Sequence, residues 1–187
     1  MNKLIPLLLS LLLSGCVFVA GAAAGAAGVA VVYDHRKFES ILQDQQIAND
    51  ISSRIASASA LKSNAQISVT CFNQVVLLTG EVLSVPQRQQ AGRIANSTQD
   101  VKKVYNQITV RGPTSSLTHA SDTWITAKIK TQMLATKDLA SGTIKVVTEN
   151  GCVYLMGIVS KEQADMAVDI ARRVSGVQKV VKIFTYH

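Results

Sequence analysis

Val75-Val76-Leu77-Leu78-Thr79-Gly80-Glu81-Val82 decides how this chain folds, because it occurs twice. Its second copy, Cys152-Val153-Tyr154-Leu155-Met156-Gly157-Ile158-Val159, lies 77 positions downstream. A short apolar run that ends in Gly-x-Val after a turn signal reads as a buried strand. The turn before the second copy is Asn150-Gly151, a pair suited to the two φ > 0 positions of a type I′ hairpin. The strand entering it, Ile144-Lys145-Val146-Val147-Thr148, matches Ile67-Ser68-Val69-Thr70-Cys71 in the first copy. Two hairpins of one design mark a duplicated protein.

The repeat extends outward from the hairpins. Upstream, Ile47, Ile51 and Ile55 align with Ile125, Ile129 and Met133, 78 positions apart, at the spacing of one helix face. Downstream, Ser84-Val85-Pro86-Gln87 matches Ser160-Lys161-Glu162-Gln163, and Ser followed three residues later by Gln is a capping-box signature. The last element, Val101 to Val110, returns as Val177 to Tyr186 at an offset of 76. The offset thus shrinks by one residue before the first strand and again before the last, in loops, where deletions are tolerated.

The expected fold class is α+β: two tandem units, each helix-strand-strand-helix-strand, with a three-stranded mixed sheet packed on one face against two helices. Gly80 and Gly157 are expected at equivalent positions where the backbone comes close or takes an unusual φ. The expected division is 1–15 signal, 16–43 membrane-proximal linker, 44–111 first unit, 112–120 linker and 121–187 second unit. About 170 residues remain after a signal, enough for one domain or two small ones, and the duplication selects two. Each unit is near the size where one core only just suffices. The breaker-rich Gly112-Pro113-Thr114-Ser115-Ser116 is too short for the units to tumble far apart, which allows them to pack together.

At the start, Met1-Asn2-Lys3 and the apolar run Leu4 to Leu13 form the n- and h-regions of a secretory signal. Leu13-Ser14-Gly15-Cys16 closes it and resembles the bacterial lipobox. That resemblance implies cleavage before Cys16, which then carries diacylglycerol and an N-acyl chain such as palmitate. More than one chain is what stable anchoring requires. Val17, where Asp is absent, resembles the outer-membrane sorting choice of Gram-negative lipoproteins. A transmembrane helix is the other arrangement, since Leu4 to Tyr33 has no charged residue and about 20 apolar residues span a bilayer. Against it, Val17 to Tyr33 is mostly Ala, Gly and Val, and reads as a linker near the membrane.

The chain is basic, +7 overall. Residues 44–111 hold 7 Lys+Arg against 4 Asp+Glu, and residues 117–187 hold 9 against 6, so each repeat is +3. The balance favours an anionic partner, nucleic acid or lipid headgroups. An exported chain with no helix-turn-helix or RNP-like signature points to anionic lipid rather than nucleic acid. Besides Cys16 there are Cys71 and Cys152, at non-equivalent strand positions. They fit two free buried thiols, and an exported chain also permits a disulfide.

No enzyme is expected. His35, His119 and His187 have no metal-ligand spacing to one another or to cysteine. The chain lacks a Gly-x-Ser-x-Gly elbow and a phosphate-cradling glycine loop. Glu162, Asp165 and Asp169 share a helix side that reads as a solvated face, with an Asp169/Arg173 pair at i,i+4. No cofactor and no metal is called for.

Taken together, helix-strand-strand-helix-strand units around a Val-x-Leu-x-Gly-x-Val strand resemble a pair of BON domains, over Asp44 to the C-terminus. These are small modules of exported bacterial proteins associated with phospholipid binding. The likeness is closest in Asp122-Thr123-Trp124-Ile125-Thr126, Thr148-Glu149-Asn150-Gly151 and Arg173-Val174-Ser175-Gly176-Val177. With the lipobox, these resemble outer-membrane lipoproteins that carry two such domains and face the periplasm. The resemblance implies binding of anionic phospholipid, support of envelope integrity, and recruitment to cell-division sites. Some relatives carry a haemolysin label, and nothing in the chain by itself supports pore formation. Repeat one departs from the pattern with Asn73-Gln74 at its turn.

The residues give a separate reason to place a lipid site in repeat two. At about 100° per residue, Trp124, Lys128, Thr131 and Ala135 fall on a stripe apart from the core line of its first helix. Repeat one has Gln46, Asp50, Ser53 and Ser57 there. An indole one turn from a lysine suits an interface apolar at one end and wet at the other. The expected phospholipid contacts are Trp124, Lys128, Lys130, Thr131 and Ala135. The other placement of Trp124 is in packing, between the repeats or against its own second helix. Two functions follow: a lipid-binding module anchored at Cys16, or a structural protein whose units dock onto outer-membrane assembly proteins.

Overall fold

The computed structural model describes residues 38–61, 65–112 and 116–187. The signal, Cys16, the Ala/Gly-rich stretch and His35 lie outside the described residues. Both repeats belong to one compact unit. Repeat one runs α1 (Phe38–Ser57), β1 (Gln66–Phe72), β2 (Val75–Val82), α2 (Val85–Asn96), β3 (Lys103–Asn106) and β4 (Thr109–Val110). Repeat two runs α3 (Ser116–Ala135), β5 (Ile144–Glu149), β6 (Cys152–Val159), α4 (Lys161–Arg172) and β7 (Lys179–Tyr186). A short 3-10 turn follows each first helix, at Ser59–Leu61 and Ser141–Thr143. Both first helices start upstream of the unit limits read from sequence, because no breaker interrupts Phe38–Gln43 or Ser116–Ala120.

The duplicated strands pair alike. β1 pairs antiparallel with β2, placing Ile67 opposite Gly80, and β5 pairs antiparallel with β6, placing Ile144 opposite Gly157. A parallel strand completes each mixed sheet on the far side of β2 or β6. In repeat one that strand is split into β3 and β4, so its sheet has four strands. The register does not slip across the gap: Val75 faces Lys103 and Val82 faces Val110. At the split, the Asn106 amide donates to the Arg88 carbonyl at 2.8 Å and accepts from the Ile108 N–H at 3.3 Å.

Gly80 and Gly157 are equivalent and crowded. A Cβ on Gly80, at φ +104°, would overlap the Gln66 carbonyl oxygen, and one on Gly157 would lie 2.7 Å from the Thr143 carbonyl oxygen. The second shortening of the repeat offset falls at one residue, Leu83, which separates Val82 from Ser84, whereas Val159 runs directly into Ser160.

Ser84 and Ser160 do cap α2 and α4, accepting from the N–H of Gln87 and Gln163. The glutamines do not close a capping box on the cap residue. Gln87 instead donates to the Ala60 carbonyl and accepts from Leu83 N–H, and Gln163 bridges Asp138 and Ala140. Each ties its helix to the loop that follows the first helix of the repeat.

Each repeat has its own core. Ile47, Ile51 and Ile55 meet Val76, Leu78 and Val82 beneath Ala91 and Ala95 of α2. Ile125, Ile129 and Met133 meet Val153, Leu155 and Val159 beneath Ala164, Ala167 and Ala171 of α4. The alternate residues of the same strands are buried too. Phe72 and Leu77 of repeat one pack against Tyr154, Met156 and Ile183 of repeat two, with Val147 and Val181 alongside. The helix-free faces of the two sheets thus close on each other, so β2 and β6 are buried on both sides and read as continuous apolar runs. Among the described residues, no helix is long and apolar enough to cross a membrane.

Candidate functional site

α3 presents two faces. Ile125, Ile129 and Met133 enter the core, while Trp124, Lys128, Lys130, Thr131 and Ala135 are all exposed. Trp124 is 53% exposed, so its ring is not enclosed between the repeats or under α4. The exposed face carries two further large apolar residues that the sequence reading missed, Leu134 at 60% and Leu117 at 81%. By helical rotation of about 100° per residue, Lys128 and Lys130 flank this apolar stripe on opposite sides. Leu134 could have been found from its spacing, ten residues after Trp124, had the stripe been widened beyond one strict line.

The structure also fixes how α3 is held. Asp122, two residues before Trp124, is buried and accepts the N–H groups of Asn150 and Gly151 at 2.7 and 2.8 Å. Thr126 and Thr148 join their hydroxyls at 2.7 Å. The hairpin turn and the first half of the helix are therefore tied together by side-chain hydrogen bonds.

Repeat one shows the same latch. Asp44 accepts from the N–H groups of Asn73 and Gln74 at 2.7 and 2.8 Å. The departure at Gln74 leaves the turn intact, since Asn73 and Gln74 sit at φ +50° and +66°, next to +52° and +71° for Asn150 and Gly151. On α1, Gln46, Asp50, Ser53 and Ser57 are exposed as their sequence suggests. Phe38 and Leu42, one turn apart, are also exposed, at 61% and 45%. The sequence reading overlooked them because it placed them in the linker.

Cys71 and Cys152 are both free, Cys71 buried and Cys152 half-buried. Burial, then the neighbouring Asp44 carboxylate, pushes the Cys71 thiol up to about 12. The thiol reaches Asp44 Oδ1 at 3.3 Å. On α4, Asp169 pairs with Arg172 at 3.2 Å rather than with Arg173, which has become the C-cap of the helix. Asp165 lies 3.9 Å from Lys182. This face is a set of exposed ion pairs, of the kind that contributes little to stability.

His119, Asp122 and Glu149 bring potential metal-ligand atoms within 4.8 Å of one another. Asp122 is already explained by the turn it holds, and its counterpart Asp44 holds the same turn with Ile41 and Phe72 at the other two positions. A cleft of about 460 Å³ opens beside them, lined by Arg111, Leu117, Ser121, Asp122, Asn150 and Gln178. Its lining mixes the exposed Leu117 with polar groups, of which Asp122 and Asn150 belong to the latch and Arg111 pairs with Glu81, and no nucleophile-base pair stands among them.

The family model described as BON domain matches twice, over residues 43–112 and 121–186. The outer membrane lipoprotein DolP of Haemophilus influenzae is 31% identical over 183 residues, 95% of this chain and 95% of that protein. The 21 kDa hemolysin of Actinobacillus pleuropneumoniae is 33% identical over 153 residues, 82% of this chain and 79% of its own length. The osmotically-inducible protein Y of Escherichia coli is 32% identical over 157 residues, 82% of this chain and 78% of its own length.

Proposed function

The chain belongs to the BON-domain family, and from that premise we propose that it is an outer-membrane lipoprotein that reads anionic phospholipid through its second repeat. Cys16 is its lipid anchor and the folded part faces the periplasm. Its role is to support envelope integrity, with recruitment to division sites through the lipid composition there. Similarity to DolP over 95% of both chains supports the anchored, outer-membrane part of this reading. The anchor calls for residues 1–15 as the removed signal, residues 16–43 as the membrane-proximal segment, and the two BON domains beyond.

The observation that carries the lipid assignment is the exposure of Trp124 on a helix whose opposite face is wholly core. Around it, Lys128 and Lys130 supply charge, Thr131 and Ala135 leave room for close approach, and Leu117 and Leu134 extend the apolar contact. Each lysine near an anionic surface contributes about 1 kcal/mol. Burying the indole adds about 2 kcal/mol at roughly 25 cal/mol per Å². Binding of this strength is weak and salt-sensitive, which suits a module that senses composition while the acyl chains do the holding.

A second reading, docking onto outer-membrane assembly proteins with lipid contact incidental, draws on Leu83, Val85 and Val110. These exposed apolar residues of repeat one follow β2 (Leu83), open α2 (Val85) and pair with the last residue of β2 from β4 (Val110). Co-sedimentation of the fragment from Phe38 onward with anionic and zwitterionic vesicles separates the two. Lipid reading requires binding to anionic vesicles without any protein partner, and no sedimentation would favour docking.

A further inference from the structure

Glu81 of repeat one and Glu149 of repeat two converge on one amide at the junction between the sheets. Asn150 Nδ2 donates to Glu81 Oε1 at 2.5 Å and reaches Glu149 Oε1 at 3.4 Å. Glu81 is 1% exposed and is also met by Arg111 at 3.0 Å. Glu149 faces Glu81 and the Thr79 hydroxyl on β2, and Asp122 and His119 on α3. Three carboxylates thus share a largely buried junction with one guanidinium and an imidazole at its exposed rim. A carboxyl that shares a site with other carboxylates keeps its proton to a higher pH than it would alone.

The duplication shows how unusual this is. The residue of repeat one equivalent to Glu149 is Phe72, which packs into the apolar contact between the sheets. Repeat two places an acid where its twin places a phenyl ring, at the end of the same strand.

We propose that Glu149 is a proton-operated lock on the junction between the two repeats. With a proton from solvent, its carboxyl is neutral and the Asn150 turn closes against Glu81. When the proton leaves, two carboxylates face each other across the junction and it loosens, while the apolar contact of Phe72, Leu77, Tyr154 and Met156 keeps the repeats together. Burial first, then Glu81, then Asp122 raise the Glu149 carboxyl above its ordinary value of 4.5, with His119 and Thr79 acting the other way. A raised folded-state value means that the folded chain holds more protons than the unfolded one in this range. The stabilisation is therefore complete below pH 4.5 and is lost as pH rises through the raised value. The lock does not depend on the lipid assignment.

The test is a carbon-13 titration of the glutamate carboxyls in the full chain in detergent micelles, with EDTA present. Glu149 should titrate above 4.5 and above Glu162, whose carboxyl its own helix N-terminus lowers. Glu81→Gln should bring the Glu149 titration down towards 4.5, because the opposing charge is gone. Glu149→Gln should unfold at higher denaturant than the parent at neutral pH and lose the parent's gain on acidification. A Glu149 titration at or below 4.5 would overturn the lock, as would a Glu81→Gln chain with an unmoved Glu149. A titration that shifts when EDTA is left out would also overturn it, transferring the charge relief to a bound cation.

Discussion

Asp44 and Asp122, 78 positions apart, do one job: each is buried, and each holds both N–H groups of its hairpin turn at 2.7 and 2.8 Å. A carboxylate on the first helix thereby determines where the strand pair begins. In repeat one it also holds Gln74 at φ +66°, a conformation that costs a non-glycine residue about 1 kcal/mol.

Removing either carboxylate leaves two turn donors without their acceptor. Asp44→Ala and Asp122→Ala should each cost about 2–3 kcal/mol in urea denaturation. Gln74→Gly should do the reverse and stabilise repeat one by about 0.5–1 kcal/mol, since glycine accepts positive φ without strain. A Gln74→Gly chain no more stable than the parent would show that the turn is not under strain.

Trp124→Glu should leave the fold intact, because the ring is outside both cores, and should lower affinity for anionic vesicles at least about 30-fold. Leu134→Ser should weaken binding less, and Asp50→Lys on α1 should change it little. Circular dichroism on the same samples separates lost binding from lost structure.

Gly80→Ala should be among the most disruptive single substitutions in repeat one. Its Cβ meets the Gln66 carbonyl and its φ of +104° excludes an L side chain, at a cost of about 3 kcal/mol. Gly157→Ala brings its Cβ to 2.7 Å from the Thr143 carbonyl oxygen, against an outright overlap at Gly80, and has no positive φ, so it should cost less. Equal losses in thermal unfolding would mean that the close approach, not the dihedral, sets the penalty.

The Cys71 thiol should resist alkylation in the native chain at pH 9, where an ordinary thiol is half ionised. The folded-state value of about 12 against an ordinary 9.0 means that the unfolded chain releases its proton first. Stability from this group is therefore full below pH 9 and declines as pH rises towards 12. Alkylation rates that follow thiol ionisation rather than unfolding would contradict its burial.

The hairpins, the duplicated order of elements and the core lines Ile47-Ile51-Ile55 and Ile125-Ile129-Met133 were legible because each rests on a period that the chain repeats. The latch was not, because an aspartate early in an amphipathic helix has the same sequence signature whether it faces solvent or a turn about 30 residues away. The second buried face of β2 and β6 was visible without being read. Leu77, Tyr154 and Met156 alternate with the core residues, and a strand apolar on both sides needs a layer on both sides. Rotation alone set the Trp124 stripe apart from the core line without deciding between exposure and packing, whereas Glu81 meeting Glu149 depends on how the two sheets align.

The face-to-face closure of the sheets also sets a distance. α3 covers the outer side of its sheet and α1 covers the outer side of the other, so the two helices stand on opposite faces of the paired sheets. With layers spaced roughly 10 Å apart, α1 stands about 30 Å beyond α3. A bilayer gripped by α3 would leave α1 on the far side of the paired sheets, clear of the headgroups, with the exposed Gln46 and Asp50 on the helix that faces away from it.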